Sequence, residues 1–152
     1  MKKEYPIMEE SIHNLELAIK YFIKDKEGSA AILLAGAAAE IFYDEVVKIG
    51  KKPIVTTAKE DFSKIKNMDI REVNKNHANK VRNWLKHPTS PTLVFDKDEE
   101  AIQYVLRAII SYNMIFNKFE KCHYDFFFYV KKNYPEIISR FDEKAQKQMK
   151  VL

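Results

Sequence analysis

From Tyr5 to Lys26 the apolar residues Met8, Ile12, Leu15, Ile19 and Phe22 recur at spacings of four and three. That rhythm lays one apolar stripe along a helix and leaves the charged positions between to water, so an amphipathic helix is expected. Gly28 stops it, and Ser29 is placed to cap a second helix with its body at Ala30 to Ile49, closed by Gly50. The two make a helical hairpin. Within the second, Ala35-Gly36-Ala37-Ala38-Ala39 carries no bulky side chain, so a neighbouring helix can approach its backbone closely.

Beyond a loop at Lys51 to Thr56, Thr57 and Glu60 have capping-box spacing and open a short helix through about Lys66. The same device at Asp69 and Glu72 starts a helix that runs to the residue before Pro88, since proline drives its predecessor out of the helical region. Pro88 to Phe95 is a loop. Asp96 with Glu99 caps a long helix to about Lys118, striped by Ile102, Val105, Ile109, Tyr112 and Phe116. A further helix, about Lys121 to Asn133, holds Phe126-Phe127-Phe128-Tyr129-Val130. Successive helical residues point about 100° apart, so five adjacent large apolar side chains cannot all meet one core, and some are expected to meet another surface. Glu136 to Leu152 reads as a short helix with a polar tail. The expected architecture is all-α: an antiparallel bundle of four to five main helices plus short extra helices, in a single domain over residues 1–152 with its core at about 5–133.

Composition narrows the class. With 152 residues, 46% hydrophobic and 32% charged, the chain can bury one core and has no apolar run long enough for a membrane span. The N-terminal segment carries Glu9, Glu10 and His13 where a secretion signal needs uninterrupted apolar residues, so a cytoplasmic location is expected. Cys122 is the single cysteine, which excludes an intrachain disulfide and a thiolate zinc cluster. His13 and His123 have no spacing relation to a second ligand, and neither a metal nor a cofactor is expected. A formal charge of +4 and a pI near 9.0 permit a nucleic-acid partner without requiring one.

The candidate chemistry lies in Arg82-Asn83-Trp84-Leu85-Lys86-His87-Pro88. Read as one continuous helix, Ile70, Val73, His77, Val81 and Trp84 gather on a core face. Asn79, Arg82, Asn83, Lys86 and His87 form an acid-free polar stripe on nearly the opposite side, facing away from the core and suited to an anion. His77 sits within the apolar face and reads as a core histidine. His87 lies at the helix C-terminus, where carbonyl partial charge favours the imidazolium. Glu40, between Ala39 and Ile41, is expected to be partly buried and to need a cationic partner, for which Arg82 and Arg107 are both candidates.

The hairpin with its Ala-Gly-Ala-Ala-Ala-Glu segment, the later Arg82-Asn83-xxx-His87 and the long helix after it resemble the HEPN superfamily of helical bundles, over roughly Ser11 to Tyr129. The likeness is greatest to small stand-alone bacterial proteins with an Arg-Asn-x-x-Lys-His segment. Enzymes of that superfamily are metal-independent endoribonucleases, many of them paired so that two motifs face one cleft. The resemblance implies His87 as general base on a ribose 2′-hydroxyl, Arg82 as stabiliser of the phosphorane oxygens, and Asn83 as the group orienting phosphate or imidazole. Lys86 and Asn79 would contact substrate, with Glu40 in support. The products would be a 2′,3′-cyclic phosphate and a free 5′-hydroxyl. A homodimer, an RNA or nucleotide ligand and an antitoxin partner follow as expectations. Two other readings stand beside this one: a non-catalytic nucleotide or RNA-binding module, and an interaction protein docking through Phe126 to Val130.

Overall fold

In the computed structural model the described residues are 1–73 and 79–139, with the backbone alone for Ile70 and Val73. The described chain is all-α. The first stripe forms α1 (Ile7–Lys20), which widens into one π-helical turn at Tyr21–Asp25 and buries Leu15, Ile19 and Phe22. Lys26 ends it in the left-handed region (φ 56°), its ammonium bonded to the Ile23 carbonyl at 2.8 Å and to the Tyr129 hydroxyl. Gly28 is thus not the stop signal. It is the first residue of α2 (Gly28–Lys48), and Ser29 lies inside that helix rather than capping it. A Cβ there would sit 2.7 Å from Cγ of Lys97, an exposed side chain that would have to turn aside. At the far end Gly50 takes φ +78°, the expected left-handed closure.

α2 is the central element, burying Ile32, Ala35, Ala38, Phe42 and Val46 between α1 and the long helix α6 (Lys97–Phe116), with α5 (Lys80–Lys86) also packed against it. Asp96 caps α6 by accepting from the Glu99 N–H at 2.9 Å, and the stripe from Ile102 to Tyr112 is buried. α3 (Ile54–Lys66) starts three residues before the expected box: Pro53 precedes its first turn and fixes the backbone there, so the Thr57 signal falls inside the helix. Two short helices follow, α4 (Ile70–Val73) and α5 (Lys80–Lys86).

α7 (Lys121–Asn133) divides its aromatic run as helical geometry demands, with Phe126, Phe127 and Val130 buried and Tyr129 half-buried. Phe128 alone of the five is fully turned outward, at 61% exposure, and is the one left to meet another surface. α8 (Pro135–Ile138) caps the bundle with Ile137. The tail expected beyond it lies outside the described residues. Among the described residues no helix is long and apolar enough to cross a membrane.

Candidate functional site

The motif helix is not continuous with α4 in the way the angular reading assumed. Asn79 has φ −125° and ψ 10°, outside helical geometry, and α5 begins afresh at Lys80. A break of this kind resets the angular phase, so positions upstream no longer dictate which face of α5 turns inward. Within α5 the inner face is set by Val81, which is buried, and Leu85, which packs against the core four residues later. Arg82 lies on the flank of that face and is carried inward with it.

Arg82 is accordingly buried, at 5% exposure, contrary to the outward orientation expected from the sequence. Gly36 makes the room. A Cβ at Gly36 would overlap Cδ and Nε of Arg82, so the side chain lies directly across the α2 backbone in the small-residue notch. Burying a guanidinium costs free energy unless it is paired, and arginine cannot escape by losing its proton. Its Nη1 donates to Oε1 of Glu40, one turn further along α2. Of the two candidate partners for Glu40, the structure chooses Arg82. The Arg82 Nε is buried with no hydrogen-bond partner among the described residues.

Glu40 itself is exposed, its side chain 62% accessible, not partly buried as expected. The hydrogen bond from Arg82 holds its carboxyl below the usual carboxylate range, against the desolvation that contact with α5 imposes and with help from the charges of Arg82 and Lys86. The polar stripe therefore has an acid beside it, supplied by another helix, which a reading of α5 alone does not reveal.

The remaining motif residues divide. Asn79 is half-buried and turned to α6, its Oδ1 accepting from the Tyr104 hydroxyl and from Nη1 of Arg107, each at 3.4 Å. Arg107 lies over the Tyr104 ring at 4.7 Å. Asn79 thus ties α5 to α6 and does not belong to the outward stripe. Asn83, Lys86 and His87 are exposed, as is Lys80. The His87 N–H closes α5 on the Asn83 carbonyl at 2.8 Å. Arg82 and His87, five positions apart, are about 140° apart by helical rotation, and one is buried while the other faces water. The structure does not bring them together on one open face. His77 lies outside the described residues.

Trp84, expected on the core face, leaves it for the rim. Its indole Nε1–H donates to the Ser90 carbonyl at 2.9 Å, and its ring meets Phe95 edge-on at 6.3 Å. Between this ring and the loop that follows lies an open cleft of about 610 Å³, lined by Trp84, Leu85, Pro88, Thr89, Ser90 and Pro91. The two prolines flanking Thr89-Ser90 were the available signal: a stiffened loop folding back on the helix it leaves.

The described residues contain no group of three or more His, Cys, Asp or Glu side chains placed to share a metal ion. No family model, curated protein or solved structure matches the chain.

Proposed function

We propose that the protein is a non-catalytic helical module that binds single-stranded RNA through the exposed face of α5, on a bundle of HEPN type. One observation carries this reading. The arginine that a nuclease would direct at the phosphorane is committed to Glu40 and covered by its own subunit, while Lys80, Asn83, Lys86 and His87 remain open to solvent. Cations on an open face attract a phosphate backbone and release its counterions, which gives affinity without chemistry. Transition-state stabilisation asks for more: donors aimed at the developing charge and held out of water. The seven-residue α5 points carbonyls towards its His87 end, and Lys86 in the last turn offsets that partial negative charge.

Pairing of two copies belongs to this proposal as an implication of the resemblance. With Arg82 buried, such a pair would not enclose two arginine–histidine sets. An antitoxin would answer a toxic nuclease, and a binding module has no need of one.

The test uses labelled single-stranded RNA titrated with protein in EDTA from about 50 to 200 mM salt. The proposal expects binding that weakens steeply with salt, a slope smaller by about 0.7 in Lys86→Ala, and intact RNA throughout. Salt-insensitive binding, or none, contradicts it. Fragments with 2′,3′-cyclic phosphate ends that vanish in His87→Ala would replace it with the endoribonuclease.

A further inference from the structure

Arg82 is not the only cation drawn inward. Arg107, midway along α6, is half-buried, its guanidinium over the Tyr104 ring at 4.7 Å and its Nη1 3.4 Å from Oδ1 of Asn79. Neither neighbour carries a formal negative charge, and among the described residues no carboxylate lies within ion-pairing distance of Arg107. Lys59 is brought within reach of the same charge by α3, which packs against α6. It too is half-buried, and its pKa is lowered first by burial and then by the charge of Arg107. Arg82 acts from the α5 side. Burial lowers the Arg107 pKa, Tyr104 and Glu100 oppose that, and the Arg82 charge lowers it further.

Three cations from three helices thus converge where water is scarce, and each disfavours the charge of its neighbour. Glu40 answers Arg82. Glu100, the carboxylate with a charge that reaches Arg107, answers weakly, because burial raises its own pKa against the pull of Arg107. Repulsion of this kind contributes nothing to the fold. An anion between the cations would replace it with attraction in a place where screening is poor. The planar fork of an arginine matches two oxygens of a phosphate, and a lysine adds a point charge. We infer that Arg107 and Lys59, backed by the field of Arg82, bind a phosphate dianion, inorganic phosphate or a phosphate monoester, at the junction of α3 and α6. A backbone phosphodiester carries a single charge and offers less to such a site. Neither residue belongs to the exposed face of α5, so this inference and RNA binding stand or fall separately.

The test is calorimetric titration of the full chain with inorganic phosphate, methyl phosphate and dimethyl phosphate at about pH 8, where the first two are dianions, in about 0.15 M sodium chloride. The expected result is saturable one-to-one binding of a dianion with Kd at or below about 1 mM, and none of dimethyl phosphate. Binding should weaken at least about tenfold in Arg107→Met and several-fold in Lys59→Met, and stay unchanged in Lys86→Ala. Tighter binding of methyl phosphate than of the free ion supports an ester as the ligand, and the reverse order supports free phosphate. Failure of both dianions to bind wild type overturns the inference, and so does dimethyl phosphate binding as tightly as they do. Binding that survives Lys59→Met undiminished, or that Lys86→Ala removes, overturns it as well, whether or not Arg107→Met folds.

Discussion

Arg82 and His123 are both ionisable side chains drawn into the bundle, and the two solve burial in opposite ways. His123, 2% exposed on the first turn of α7, gives up its charge. Burial pushes its pKa down to about 4, against the opposing pull of Glu120. Its neutral Nδ1 accepts from the Glu120 N–H at 3.1 Å, completing a capping box, while Tyr112 meets its ring edge-on at 4.8 Å and donates to Glu120 at 2.6 Å. Every part of that set serves the start of α7. Arg82 cannot neutralise itself, so α2 must give it a notch at Gly36 and a counterion at Glu40. A buried imidazole needs only a hydrogen bond. A buried guanidinium conscripts a carboxylate, and with it the free cation that catalysis would require.

The sharpest way to break the Arg82 side is to fill its notch. Gly36→Val places two extra methyl groups plus a Cβ where Cδ and Nε of Arg82 lie, and we expect a loss of about 3 kcal/mol in urea unfolding, the upper range for overpacking. A cost below about 0.5 kcal/mol would mean that Arg82 is free to leave.

On the His123 side the lever is pH. A folded pKa below the unfolded value means that the unfolded chain binds more protons between about 4 and 6.5, so this contribution is whole above pH 6.5 and falls as the solution is acidified towards 4. Between pH 6.5 and 5 wild type should lose about 1.5 kcal/mol more than His123→Leu. Parallel pH curves for the two would show that the ring is not sealed.

A smaller effect is expected at Glu40→Ala, about 1 kcal/mol, because the carboxylate is mostly in water although its partner is not. Arg82→Met should be tolerated within about 1 kcal/mol, since apolar replacement removes a buried charge together with its need for a partner. If Glu40→Ala unfolds the protein, the pair carries more of the fold than its exposure implies.

What the sequence made legible follows from how each signal is encoded. The spacing of four and three from Met8 to Phe22, the Asp96 cap and the α6 stripe are local signals of a helix, and each appears where expected. The identity of the residues on α5 was legible; their orientation was not. It depends on a break at Asn79, on Leu85 rather than Trp84 facing the core, and on a glycine forty-six positions earlier whose missing Cβ admits a guanidinium. None of these is visible from an angular projection of one helix. The acid beside the cationic stripe was hidden for the same reason, because Glu40 comes from α2. The capping role of His123 was local, with Glu120 three residues before it, and could have been read from that spacing.

The most direct measurement compares Arg82→Met with Lys86→Ala in single-stranded RNA binding at fixed low salt, each variant first shown by circular dichroism to keep its helical signal. With Arg82 committed to Glu40, the account predicts that Arg82→Met binds within about twofold of wild type, while Lys86→Ala binds several-fold more weakly and with a shallower salt slope. A folded Arg82→Met protein that has lost RNA binding, with Lys86→Ala unaffected, would contradict it.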